Sequence, residues 1–254
     1  MRLELRRKRL LAGLAIVLWL GLSVGVSEAS TSQPGQALPD GCTDSSPCHF
    51  ARGTYHLGPG TVLPGLQFTL PRGWSSGEND QGELNLVPPG RPQARLFVWM
   101  DVEAVKSAGK GHGTTVLRNI GRTSPDLVSW LTTNSDFLVV APPKPTRIAE
   151  RIPATTLTVG VSKSANYGDP GCPANPRCAD LFTNHWWGTN SYGIGGAEEV
   201  QLSISSIKRG AARDTLIVAL DAGTGTDNGG LVTLRRVVRP ILASFRLPER
   251  VSAG

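Results

Sequence analysis

The stretch Ala94-Arg95-Leu96-Phe97-Val98-Trp99-Met100-Asp101-Val102 decides the fold. Successive side chains of an extended chain point to opposite sides. Leu96, Val98, Met100 and Val102 therefore share one face, and Arg95, Phe97, Trp99 and Asp101 share the other. The aliphatic face needs a core. Phe97 and Trp99 need cover as well, so the stretch predicts a central strand packed on both sides, the second side by a helix or a long loop.

The flanking sequence adds more strands. Leu66–Leu70 alternates and runs into a turn at Pro71-Arg72-Gly73-Trp74, and Glu83–Val87 alternates again. Residues 104–123, with Gly and Lys, read as a loop. Ser124 is a natural N-cap, with Pro125 and Asp126 in the first turn, for a short helix that ends by Asn134. Phe137–Ala141 is a strand stopped by Pro142-Pro143. Arg147–Arg151 and Thr155–Val161 form a hairpin around Pro153. Val200–Ile207 and Thr215–Leu220 form another, joined by the basic turn Lys208–Asp214. Leu231, Leu234, Val237, Val238, Ile241 and Leu242 mark an amphipathic helix that Pro240 should kink, and Ser244–Leu247 a last short strand. Strands joined by short turns are antiparallel, and two helices are too few to cover both faces of a doubly wound sheet. The expected class is α+β, an antiparallel sheet of about six to eight strands with helices packed on it.

The chain begins with Arg2, Arg6, Arg7, Lys8 and Arg9, then an uncharged run of 17 residues from Leu10 to Val26, then Ser27-Glu28-Ala29. A basic flank, an apolar run and small residues at a cleavage point are the parts of a secretory signal. We read residues 1–29 as a signal peptide cut after Ala29, in preference to retention of residues 10–26 as a membrane anchor. The domain lies outside the cytoplasm under either reading, because the basic flank stays inside. Residues 30–52, rich in Ser, Thr, Pro, Gly and Gln, read as a flexible tether carrying the first cysteine loop, 53–248 as one domain and 249–254 as a tail. Residues 1–29 carry five of the 26 basic and two of the 20 acidic residues, so the remainder is nearly balanced. Arg235, Arg236 and Arg239 read as a solvated helix face, and no concentrated patch for nucleic acid is present.

Cys42, Cys48, Cys172 and Cys178 form two pairs, each with five residues between. An even count in an exported chain points to disulfides. The local pairings Cys42–Cys48 and Cys172–Cys178 are expected, since each pair already sits in a tight Pro-containing loop. A four-cysteine zinc site would call for shorter spacing.

The run Gly65–Trp74, with its Phe68-Thr69-Leu70-Pro71-Arg72-Gly73-Trp74 core, resembles the opening of Mog1/PsbP-like domains. Pro240–Leu247 resembles their closing helix-to-strand passage. Gly53-Thr54-Tyr55 and Asp126-Leu127-Val128-Ser129-Trp130-Leu131 resemble segments shared by a group of uncharacterised exported bacterial proteins. The resemblance implies an antiparallel sheet with helices, used as an accessory or binding module of extracytoplasmic assemblies and without a shared active site. The loop holding Cys172 and Cys178 departs from that pattern.

Catalytic motifs fail on inspection. Gly160-Val161-Ser162-Lys163-Ser164 lacks the last Gly of a nucleophile elbow. Among His49, His56, His112 and His185, only His185 is a candidate base for a hydrolase. Ala104–Gly111 mimics a phosphate loop but has Ala104 in place of the first Gly and Gly111 in place of the magnesium-binding hydroxyl. Asp180, His185 and Glu198 or Glu199 match no metal-ligand spacing, and no cofactor is implied. The segment Asn184–Tyr192 is more informative. Trp186, Trp187 and Tyr192, with His185 and Asn190, set aromatic faces among polar donors, as a sugar-binding or polar ligand surface requires. The same aromatics would equally serve to pack the 162–198 excursion onto the sheet. Neighbours on an extended segment point opposite ways, so the two tryptophans are expected to split, one in and one out. The expected function is a non-enzymatic extracytoplasmic domain that binds an envelope protein or other envelope component. The alternatives are a secreted hydrolase using His185, or a glycan-binding module using the Trp186/Trp187/Tyr192 loop.

Overall fold

The computed structural model describes residues 35–253 apart from 40–41, 44, 81, 108–113, 166–176, 189, 210–211, 224–227 and 249–250. The expected signal segment, His112, the Ala108–Gly111 end of the phosphate-loop mimic, and Cys172 lie outside the described residues.

Short strands come first: β1 (Gln36–Ala37), β2 (Cys48–His49), β3 (Gly53–His56), β4 (Gln67–Leu70), β5 (Ser75–Asn79), β6 (Glu83–Val87) and β7 (Arg95–Met100). β8 (Glu103–Ser107) and β9 (Thr114–Val116) precede helix α1 (Ser124–Thr133). Then come β10 (Phe137–Ile148), β11 (Ile152–Val161), β12 (Cys178–Thr183), β13 (Tyr192–Gly195), β14 (Glu199–Arg209) and β15 (Ala212–Asp221). Helix α2 (Asn228–Ser244) and β16 (Val251–Ala253) close the chain. A nine-stranded sheet runs β10-β11-β14-β15-β7-β6-β5-β2, with β16 also on β14. Smaller sheets run β1-β3-β4 and β13-β12-β8-β9. Every pairing is antiparallel except β1 with β3. The class is α+β, mostly antiparallel, and the main sheet is wider than the six to eight strands expected.

β7 is central, between β15 and β6, and both its faces are covered. Leu96, Val98 and Met100 join one core with Phe68 and Leu70 of β4 and Leu234, Val238 and Ile241 of α2. Phe97 and Trp99 join a second core with Leu127 and Leu131 of α1 and with Leu181 and Phe182 of β12. The second face, expected to lie under a helix or a long loop, is covered by a helix and a small sheet. Val102 packs in the second core, not with Leu96. Asp101 takes a left-handed φ of 51°, which breaks the alternation after Met100.

Several expectations need correction. The helix cap is Thr123. Its hydroxyl and the Asp126 carboxylate bond reciprocally to each other's backbone N–H in a capping box. Ser124 is the first helical residue and ties α1 to β14, its hydroxyl donating to the Ile204 carbonyl at 2.9 Å. The supposed 104–123 loop contains β8 and β9, and the 162–198 excursion contains β12 and β13. β10 does not stop at Pro142-Pro143 but continues to Ile148, with register shifts between Val139 and Lys144. Proline is tolerated there because β10 is an edge strand, where the missing N–H breaks no second ladder. Its hairpin to β11 turns at Ala149 and Glu150, both at positive φ, and Pro153 lies inside β11. α2 runs through Pro240 to Ser244. Where a last strand at Ser244–Leu247 was expected there is a single bridge, Arg246 to Gln67. In the expected tail, β16 pairs with Ile207–Arg209. Within the expected tether, Leu38 and Phe50 are buried in the first core.

Cys42 and Cys48 are disulfide-bonded, with S–S 2.06 Å and Cα–Cα 5.4 Å. Cys178 is also disulfide-bonded.

Candidate functional site

The turn between β12 and β13 is organised by Asn184, which is buried. Its amide donates to the Gly82 carbonyl at 3.0 Å. Its Oδ1 accepts from the backbone N–H groups of Trp186 (3.0 Å) and Trp187 (3.1 Å). This Asx turn replaces a backbone partner with a side chain and fixes the direction of both indoles. Trp187 turns inward and meets Trp99 edge-on, with ring centroids 6.0 Å apart and planes at 87°. It closes against Gly82, where an added Cβ would fall 2.5 Å from the Trp187 Nε1. Trp186 turns outward, is 50% exposed, and lies tilted against the His185 ring, with centroids 3.7 Å apart.

The five residues singled out from sequence thus separate. His185 and Trp186 stand together at the surface. Tyr192 packs inward on Phe97 (5.2 Å) and Trp99 (4.6 Å). Asn190 is exposed and holds the turn through its backbone, its N–H on the Trp187 carbonyl and its own carbonyl accepting from the Thr183 hydroxyl at 2.6 Å.

His185 and Trp186 rim a cleft of about 320 Å³ whose other walls include Met100, Asp101, Arg209 and Asp214. These come from the end of β7 and from the β14–β15 hairpin. Arg209 Nε lies 3.4 Å from Asp214 Oδ2. The left-handed Asp101 faces the same cleft, and its carboxylate lies 3.2 Å from Arg122. Unusual φ values concentrate where a side chain must be aimed. The arrangement offers an aromatic platform above paired charges, suited to holding a polar ring. Among the described residues no hydrogen bond to the His185 imidazole is found, and its ring contact is with Trp186. Nor does the structure gather Asp180, His185, Glu198 and Glu199 into a metal-holding group among the described residues. Asp180 is instead buried and accepts from the Ser191 hydroxyl at 2.8 Å.

Beneath the turn lies a group the sequence reading missed. The Tyr192 hydroxyl donates to Asp221 Oδ2 at 3.0 Å. Glu198 accepts from the Gly195 N–H at 2.9 Å and shares a hydrogen bond with Asp221. The Gly223 N–H donates to Asp221 Oδ1 at 2.6 Å, and Trp99 Nε1 donates to Glu83 at 3.1 Å. Burial, then the Asp221 charge, pushes the Glu198 carboxyl up to about 8, so at neutral pH it keeps its proton and donates to Asp221. Burial also raises Asp221, against the Gly223 amide, Glu198, Tyr192 and Arg95, which all favour its charged form. Burial, with the charges of Asp221, Glu198 and Glu83, drives the Tyr192 phenol well above its ordinary range. Two carboxyls this close do not both ionise readily, and their shared proton ties the turn between β13 and β14 to the end of β15. The signal was in the hairpin register. Once the Lys208–Asp214 turn is centred so that Arg209 faces Ala212, Val200 faces Asp221, and Glu198 lies two residues before Val200 in the chain.

No protein-family model matches the chain, and no curated protein matches it in sequence.

Proposed function

We propose that the chain is an extracytoplasmic binding or accessory domain, Mog1/PsbP-like in fold, that recognises an envelope protein or other envelope component without catalysing a reaction itself. The observation that carries the reading is Trp186. It is a large apolar side chain left 50% exposed on a turn that buries its neighbour, at the rim of a cleft with charged walls. An indole held out by an ordered Asx turn is typical of a contact residue, since aromatic side chains supply much of the energy in binding sites. The Cys42–Cys48 disulfide supports an oxidising compartment. Capture of ligands from envelope extract by the full-length protein and by Trp186→Ala tests it. Loss of one or more captured species in the variant is the expected result. Identical capture by both proteins refutes the reading.

A further inference from the structure

The Trp186 cleft carries more negative than positive charge. Asp214 is matched by Arg209, 3.4 Å away. Asp101 and Glu103 divide the one guanidinium of Arg122 between them. One carboxylate of that triad is therefore in excess, and Asp101 is the acid of the two that lines the cleft. Strand alternation keeps the other cations of the β14–β15 hairpin away. Arg209 and Asp214 share the face of Ile207, whereas Lys208 and Arg213, paired across the ladder, point to the opposite one.

The acceptors in the cleft are not used up either. Asp214 Oδ2 is buried and accepts no hydrogen bond among the described residues. A buried acceptor in that state calls for a donor. The Asp101 side chain is 39% exposed, and its hydrogen bond from Arg122 falls on Oδ1. Among the described residues none falls on Asp101 Oδ2. The half-exposed indole of Trp186 stands at the rim, and Met100 gives the cleft an apolar wall.

Resting on the binding reading above, we infer that the cleft takes an arginine side chain presented by a partner protein. Each part of the cleft answers to one part of that side chain. An aromatic face attracts a cation, and indole does so best of the side-chain rings. A guanidinium is flat, so it stacks on Trp186 while its N–H fork is offered to the carboxylates of Asp101 and Asp214. The methylene stem suits the apolar wall at Met100. Lysine brings the same charge without the flat stack and is the weaker fit. A neutral sugar would use the indole but gain nothing from the excess charge. The volume, about 320 Å³, is at the small end for a ligand site and suits one side chain.

The test titrates full-length protein, by calorimetry and Trp fluorescence, with short blocked peptides that differ only at the central residue: arginine, lysine, citrulline or glutamate. A neutral N-acetylglucosamine oligomer is the further probe. Citrulline keeps the shape of arginine and loses its charge. The arginine peptide should bind about tenfold or more tightly than the citrulline peptide, with lysine between them, and its affinity should fall as salt rises. Asp101→Asn and Trp186→Ala should each weaken arginine binding by about five- to tenfold. Asparagine tolerates the left-handed φ of Asp101, and Trp186 is exposed, so melting temperatures should move little and certify the fold. Equal binding of the arginine and citrulline peptides overturns the inference, as does arginine binding that ignores both substitutions. Tighter binding of the glutamate peptide or the sugar overturns it too, and so does failure of every peptide. If Trp186-dependent capture from envelope extract persists in those cases, only the ligand class is wrong. If capture fails as well, the binding reading falls with it.

Discussion

Glu198→Gln removes a proton that the folded chain holds and the unfolded chain does not. The Glu198 carboxyl, ordinarily 4.5, rises to about 8 in the fold through burial and the neighbouring Asp221 charge. A raised folded value means the native state binds more protons across that window. The stabilising contribution is therefore complete below about 4.5 and is lost as pH climbs through about 8. The slope approaches roughly 1.4 kcal/mol per pH unit while the native state is one proton ahead, and the whole interval is worth on the order of 4 kcal/mol. For a domain of this size each kcal/mol moves Tm by about 2–4 °C. The native protein should thus lose on the order of 10 °C between pH 5 and pH 8. The other groups facing Glu198 do not reverse the sign: Asp221 is shifted in the same direction, and Tyr192 is pushed further from neutrality. Gln keeps the shape, the acceptor for the Gly195 N–H and a donor for Asp221, but does not titrate. Thermal unfolding of both proteins at constant ionic strength, in steps from pH 5 to 9, should show a steep fall for the native chain and a much flatter curve for the variant, with the variant more stable at pH 8. Parallel curves would refute the shared-proton account of the Glu198–Asp221 pair.

Three further outcomes follow from the same geometry. Trp187→Ala should cost about 3 kcal/mol, because it opens a cavity against Trp99, whereas Trp186→Ala should change stability by about 0.5 kcal/mol or less; urea titration of the two variants separates them. Gly82→Ala should destabilise by roughly 1–3 kcal/mol, since its Cβ would meet the Trp187 indole and press on Asn184, and near-UV circular dichroism should report displaced tryptophan. A normal spectrum with unchanged melting would show that the turn absorbs the methyl group. Cys42→Ser/Cys48→Ser should lose less than the roughly 3 kcal/mol of a 15-residue loop, because six residues of separation close only a short loop; a larger loss in guanidinium unfolding would contradict the entropy argument.

What the sequence discloses, and what it hides, divides along a physical line. β7 was legible because alternation with large apolar groups on both sides admits one arrangement, a central strand covered twice. The outward and inward turn of Trp186 and Trp187 matches the expected split, but the Asx turn at Asn184 sets it, not an extended segment. β12 was not legible, because all six of its residues are buried and polar Asp180 and Thr183 sit among them, so no period of two survives. β10 was truncated because three prolines argue against a strand anywhere except at an edge, and edge position is a property of the assembled sheet. The site follows the same rule. Trp186 and His185 are adjacent in the chain, but the walls that make them a cleft, Met100, Asp101, Arg209 and Asp214, come from other strands. Asp221 and Glu198 look like unrelated acids until the β14–β15 register sets Val200 opposite Asp221 and the turn before β14 brings Glu198 alongside. Local pattern fixes which way a residue points, and long-range register fixes what it points at. The chemistry of this domain resides mostly in the second: its proton-sharing pair depends on the β14–β15 register, and the Trp186 cleft on residues that several strands and loops bring together. A one-residue slip in β14–β15 would move Glu198 away from Asp221 and turn Arg209 to the opposite face. The same substitutions that test the site therefore also test the register that builds it.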